Sequence, residues 1–158
     1  THCVNNFGPW QFPEKLIPVI INNIFDGKKI PIYGNGQNVR DWLHVDDHIN
    51  ALLLVVSEGK VGETYCIGGY GETSNIELTL KICSILDKIK PSSNPYSCLI
   101  ELVEDRLGHD KRYSIDSSKI SEELNWSPNI TLEEGLYETI NWYIANQNWC
   151  RKKLYPYS

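Results

Sequence analysis

Strand-like and helix-like patterns alternate along the whole chain, and this alternation constrains the fold more than any other feature. Leu16, Ile17, Ile20, Ile21 and Ile24 recur at helical spacing, predicting a helix from about Pro13 or Glu14 to Asp26 that Gly27 stops. Pro18 falls in its first turns, where a missing N–H costs least. A short strand near His2–Asn6 precedes it, closed by Gly8-Pro9. Lys29–Tyr33 reads as a strand that Pro31 confines to an edge, and Val39–Val45 as another after Gly34-Asn35-Gly36. Asp46 or Asp47 can cap a second helix with Ile49, Leu52, Leu53 and Val56 inward and Gly59 at its end.

The pattern continues in the second half. Glu63–Ile67 reads as a strand ending on Gly68-Gly69. Ser74 and Glu77 form a capping box for a helix to Lys90, with Ile82, Ile85, Leu86 and Ile89 on one face. Pro91–Pro95 is a loop, Leu99–Val103 and Tyr113–Ile115 are strands, and Ser117–Leu124 is a short helix. Thr131 with Glu134 starts a last helix ending near Asn146–Lys153, and Trp126 and Trp142 sit at apolar positions expected in the core. Such alternation defines an α/β fold.

Composition narrows the class. Hydrophobic residues are 41% of the 158 and charged ones 22%, a globular balance, and no apolar run reaches the ~18 residues of a spanning helix. Fifteen basic against twenty acidic residues give a net charge of −5, so neither nucleic acid nor a membrane is expected as a partner. Five cysteines without a C-x-x-C fit reduced thiols in the cytoplasm. The chain opens on Thr1-His2-Cys3-Val4 with no leader pattern and is expected to be a piece of a longer protein that starts within a strand.

Several chemistries lack their motifs. There is no G-x-G-x-x-G dinucleotide fingerprint, no P-loop lysine motif, no G-x-S-x-G elbow and no Tyr-x-x-x-Lys pair. His44-Val45-Asp46-Asp47-His48 has metal-ligand residue types, but a strand end followed by a helix cap explains them better, so no metal is expected. The loop Asp105–Tyr113 holds Arg106, His109, Lys111 and Arg112. It suits a diphosphate, which Arg grips bidentately, or else a solvated loop paired with Asp105 and Asp110. Arg40 is a second anion ligand or a partner of Asp41, and the Tyr33 ring stacks on a base or on the core.

These residues also carry a resemblance. Asn5-Asn6-Phe7-Gly8-Pro9-Trp10-Gln11-Phe12-Pro13-Glu14-Lys15-Leu16-Ile17-Pro18 resembles the segment after the active-site helix of dTDP-glucose 4,6-dehydratases, extended short-chain dehydrogenase/reductases. The likeness continues through Pro31–Gly34, Val39–Leu43, Gly62–Tyr65, Gly68-Gly69, Asp105-Arg106…Gly108-His109-Asp110, Leu124…Trp126…Pro128 and Trp142-Tyr143…Ala145-Asn146.

The resemblance implies the C-terminal, substrate-binding part of an NAD(P)-binding Rossmann-like fold with most of the Rossmann sheet missing. It reads as one partial domain, 1–158, in which 1–8 are a late Rossmann strand and loop and 9–158 mainly the sugar-nucleotide-binding portion. NAD and the catalytic Tyr-x-x-x-Lys would belong to a missing N-terminal Rossmann half, with a homodimer in the full enzyme and no catalytic residue in this chain. The full enzyme would convert dTDP-glucose to dTDP-4-keto-6-deoxyglucose and water, with NAD as internal redox cofactor, and this chain alone would be inactive.

Carried over by position, Asn5 would bond the diphosphate or sugar, and Glu14, Lys15 and Leu16 would line the nucleotide pocket. Pro31 and Tyr33 would flank the thymine, Arg40 and Arg106 would hold the diphosphate, and His109 would complete the loop. Two positions depart from the pattern. Cys66 stands where the family usually sets an Asn against the nucleotide, and losing such a contact costs ~0.5–1.5 kcal/mol. Leu107 replaces a Pro and would loosen the unbound loop. A non-catalytic binding or interaction module, or the same part of a UDP-sugar epimerase or decarboxylase, are the alternative readings.

Overall fold

A computed structural model describes residues 1–154. Strands β1 (His2–Cys3), β2 (Asn5–Phe7), β3 (Ile30–Tyr33), β4 (Val39–Arg40), β5 (Trp42–His44), β6 (Cys66–Ile67), β7 (Thr73–Ser74), β8 (Ile100–Val103) and β9 (Arg112–Tyr113) alternate with helices. The helices are α1 (Leu16–Phe25), α2 (Val45–Glu58), α3 (Asn75–Ile89), α4 (Ser118–Leu124), α5 (Leu132–Ala145) and α6 (Gln147–Leu154), with a 3-10 turn at Tyr96–Leu99. The expected α/β class is the observed one.

The strands form small sheets. β1 pairs with β6, β2 with β5 and β3 with β8, all parallel, while β4 lies between antiparallel β7 and parallel β9. The opening strand changes neighbours at Val4. The N–H groups of His2 and Val4 donate to Tyr65 and Ile67, and that of Asn5 to Asp41, because successive residues of a strand point their N–H groups to opposite sides. Pro31 sits in β3, whose one partner among the described residues is β8, matching its expected edge position.

Two hydrophobic cores hold the elements. The larger joins α1, α3 and α5 through Ile17, Ile20, Ile21, Ile24, Leu78, Ile82, Leu86, Leu136 and Ile140. The smaller gathers Val4, Leu43, Ala51, Tyr65, Ile67, Ile120 and Trp126. Each draws on stretches interleaved along the chain rather than on one half of it.

Several expected boundaries shift. Helix α1 starts at Leu16 rather than Pro13 or Glu14, with Lys15 as its N-cap. The strand expected over Val39–Val45 breaks at Asp41, whose buried carboxylate accepts from the N–H groups of Gly69 (2.8 Å) and Gly71 (2.9 Å). A Cβ on Gly69 would run into the Trp42 carbonyl oxygen, so only glycine lets the two chains approach. Glu63–Ile67 shortens to Cys66–Ile67, and the last helix divides at Asn146 into α5 and α6.

Helix α2 differs most. Its N-cap is His44, with Asp46 and Asp47 in the first turn. Ile49, Leu53 and Val56 point outward, Val56 being 87% exposed, while Asp47 and Ala51 are the buried residues and Leu52 packs partly on the smaller core. The Asp47 carboxylate accepts from the N–H groups of Asn129 (3.1 Å) and Ile130 (2.9 Å), which turns that polar face inward. Trp126 lies in the core as expected, whereas Trp142 is only partly buried.

Candidate functional site

The parallel pairing of β3 with β8 places the candidate site. Tyr33 is opposite Val103 in register, so both strands end on the same side, and the loop from Glu104 leaves beside the Tyr33 ring. Gly34 at φ 59° turns the chain away there, and a Cβ on it would meet Asp105 Oδ2 at 2.9 Å. Strand β4, beside β9, carries Arg40 to the same region. The fourth contribution is the turn before α1, closed by the Lys15 N–H on the Phe12 carbonyl at 3.1 Å. Lys15 caps the helix without a side-chain bond to it, leaving first-turn N–H groups for an anion.

A relay of contacts organises the basic loop. His109 Nδ1 lies 2.7 Å from Asp105 Oδ1, and Arg106 Nη2 lies 3.2 Å from His109 Nε2. His109 thus sits between the Asp105 carboxylate, which can only accept, and the Arg106 guanidinium, which can only donate. The hydrogen bond from His109 holds the Asp105 carboxyl below the usual carboxylate range. The Arg106 guanidinium lies 4.9 Å from the Tyr33 ring centre, over its face. Arg40 donates to the carbonyls of Val39 (2.7 Å) and Asp110 (2.9 Å), tying β4 to the far end of that loop. Glu14 and Lys15 pair at 3.1 Å at the surface.

These groups surround a cavity of about 370 Å³, within the range of small-molecule sites. Asn5, Glu14, Lys15, Leu16, Pro31, Tyr33, Arg40, Arg106 and His109 all line it. Cys66 does not: it lies on β6 opposite His2, away from the cavity. Leu107 stands fully exposed at the loop tip.

Three lining residues escaped the sequence reading: Val19, Trp42 and Asn75. Val19 follows Leu16 by one helical turn, and Trp42 follows Arg40 by two residues, so face periodicity was the available signal. Asn75 sits directly after the Ser74 cap. Its Oδ1 and the Nε1 of Trp42 are buried without a hydrogen-bond partner among the described residues, a costly state in a closed protein and a useful one beside a ligand. Arginine, lysine, an aromatic ring and a free amide around one cleft suit an anionic ligand with a flat ring, such as a nucleoside diphosphate.

The two imidazoles of the His44–His48 segment separate. His44 Nδ1 accepts from the Asp46 N–H at 3.4 Å, while His48 Nδ1 lies 3.0 Å from Asn6 Nδ2 and its pKa is lowered by burial. No three His, Cys, Asp or Glu side chains converge as a metal site among the described residues. The sequence has no dinucleotide fingerprint that would hold NAD.

Known proteins resemble the chain closely. It is 55% identical over 149 residues to the dTDP-glucose 4,6-dehydratase of Shigella flexneri, covering 94% of this chain and 41% of that protein. The crystal structure of dTDP-glucose 4,6-dehydratase from Bacillus anthracis in complex with NAD superposes with a TM-score of 0.86 at 47% identity, over 96% of this chain and 46% of that one. The UDP-glucose 4-epimerase of Thermotoga maritima, solved with UDP-glucose, follows at a TM-score of 0.78 and 27% identity, over 92% and 45%. The chain thus spans less than half the length of each of these relatives. Residues 1–139 match the family model described as GDP-mannose 4,6 dehydratase, and the chain belongs to that family.

Proposed function

We propose that this chain forms the substrate-binding part of a dTDP-glucose 4,6-dehydratase and holds a dTDP-sugar in the cavity between Lys15, Tyr33, Arg40 and Arg106. One observation carries the reading: expected site residues from five separate stretches of sequence converge on one cleft. Arg40 and Arg106 grip the diphosphate, with the α1 N-terminus adding N–H groups, and Tyr33 with Pro31 flanks the base. Asn5 and Asn75 supply amides to the sugar nucleotide. Binding energy gathered on the nucleotide would fix the sugar for chemistry done by residues outside these 158.

In the whole protein the product would be dTDP-4-keto-6-deoxyglucose, a precursor of deoxysugars, made in the cytoplasm by a homodimer. Among the described residues no helix is long and apolar enough to cross a membrane, and the five cysteines are free thiols. The two-stranded parallel sheets and the outward apolar stripe of α2 support a docking surface for a Rossmann half. Parallel sheets are ordinarily covered on both faces.

Calorimetric titration of the chain with dTDP, and with UDP for comparison, tests the binding reading. Saturable dTDP binding, weakened about 10- to 100-fold in Arg106→Ala, is expected for the loss of a charge-assisted contact. No binding by the folded chain, or binding indifferent to Arg106, would sink it. Preference for UDP would move the chain toward the epimerase-like relatives.

A further inference from the structure

The segment between β2 and α1, residues 8–15, brings Glu14 and Lys15 to the cavity, and it is held from behind by helices that do not line the cavity. Trp10 adopts φ 66°, a left-handed conformation that a bulky residue takes only when its surroundings enforce it. The enforcing contacts are aromatic. Its ring centre lies 4.8 Å from that of Trp142 and 5.4 Å from that of Trp149, which are 5.3 Å from each other, and Trp142 also meets Tyr143 at 4.9 Å. The Tyr143 hydroxyl donates to the Gln11 carbonyl, and Gln11 Nε2 donates to the Asn6 carbonyl at 2.8 Å. Burial raises the Tyr143 hydroxyl well above its ordinary pKa, so it stays a donor throughout the working pH range.

We propose that Trp10, Trp142, Trp149 and Tyr143 form an aromatic clamp that positions Glu14, Lys15 and Leu16 at the cavity, so that α5 and α6 set nucleotide affinity without touching the nucleotide. The proposal rests on the dTDP reading of the cavity. These four are positioning residues. The left-handed turn at Trp10 and the Tyr143 bond to Gln11 lie three to four residues before Glu14, whereas the Trp10 side chain remains 63% exposed and adds little to the core. A side chain kept for burial alone would not sit at the surface in a disfavoured backbone conformation.

The test uses the full chain in two arms. Trypsin cleavage of the Lys15–Leu16 bond, followed by mass spectrometry without ligand, reports how firmly the segment is held. Calorimetry reports dTDP affinity, and thermal melting controls for the fold. Trp10→Gly removes the ring while suiting the left-handed backbone, so the melting temperature stays near that of the unsubstituted chain. Cleavage after Lys15 accelerates, dTDP binding weakens about tenfold, and Trp10→Phe restores both.

Unchanged cleavage at Lys15, or unchanged dTDP affinity with faster cleavage, overturns the clamp. So does a Trp10→Phe variant that behaves like Trp10→Gly. Should Trp10→Gly fail to fold, Tyr143→Phe removes only the bond to Gln11 and is held to the same criteria. If the unsubstituted chain binds no dTDP, the nucleotide reading falls by itself, and the cleavage arm still decides whether the aromatic cluster holds the segment.

Discussion

Asn75 is a residue whose physical state argues for a ligand. Its backbone is fully employed, the N–H donating to the Asn38 carbonyl at 3.0 Å and the carbonyl accepting from Thr79 Oγ1 at 2.7 Å, yet its side-chain oxygen is buried and unpartnered on the cavity wall. An unmet buried acceptor destabilises a protein, so deleting it is neutral or mildly favourable when nothing else is lost. Asn75→Ala is therefore expected to leave the melting temperature unchanged or slightly raised. It should weaken dTDP binding about three- to tenfold, the worth of one neutral hydrogen bond. Loss of stability with unaltered affinity would mean the amide serves the fold. Cys66 shows the opposite case. A sequence motif pointed to it, but strand pairing with His2 carries it to β6, away from the cleft. Cys66→Asn should accordingly leave dTDP affinity where it is, and a clear gain in calorimetry would reinstate the position as a contact.

At the scale of elements, the two capping boxes were the most legible feature because such a cap is a local device, whereas the starts of α1 and α2 shifted from their expected places. The boxes Ser74/Glu77 and Thr131/Glu134 form as their spacing predicts, each side chain accepting from the other's backbone. Bonds from the Ser74 N–H, the Ser74 hydroxyl and the Thr73 hydroxyl hold the Glu77 carboxyl below its ordinary pKa. A carboxyl depressed in the folded state stabilises it above the unfolded pKa, and that stability is lost as pH falls through the folded value. Ser74→Ala should thus lower stability by about 1 kcal/mol near neutrality, as the loss of an N-cap does. The deficit should shrink as Glu77 is protonated in acid. Urea unfolding at neutral and acid pH checks both, and a deficit that grows on acidification would contradict the linkage. What was not legible depended on distant partners. Periodicity found an apolar stripe on α2 but could not tell that Asp47 reaches Asn129 and Ile130 and so turns Ile49, Leu53 and Val56 outward. Likewise the break at Asp41 follows from Gly69 and Gly71, about thirty residues away. Of the cavity lining, residue type alone singled out Arg40, Tyr33 and the Asp105–His109 loop, each with a second reading, and the resemblance supplied Asn5, Glu14, Lys15, Leu16 and Pro31, while Asn75 and Trp42 announce nothing until the cleft is formed.

The molecule as a whole carries two cores of unequal strength, and this sets how it should open. To the larger one α1 contributes four buried residues, α3 five and α5 three. Helix α2 buries two of its fourteen, one of them the Asp47 carboxylate, and exposes an apolar stripe. Local opening is easiest where few apolar contacts are lost, so amides of α2 should exchange with solvent well before those of α3 in native-state hydrogen exchange. If the stripe is uncovered, Val56→Lys changes stability by no more than about 0.5 kcal/mol, as surface substitutions do. Equal protection of α2 and α3, with a large cost for Val56→Lys, would mean that the helix is covered in the chain alone. The same experiment bears on the proposed Rossmann partner. Adding the N-terminal portion of the Shigella flexneri relative should slow exchange in α2 and β1, which belong to the smaller core, and leave α3 as it was. Five of the twelve cavity residues stand on α1, β3 and α3, elements of the larger core, and none stands on α2. Nucleotide binding and docking of the partner are therefore expected to act on different parts of one fold: dTDP should protect the Lys15 and Asp105–His109 segments and leave α2 exchanging at its original rate.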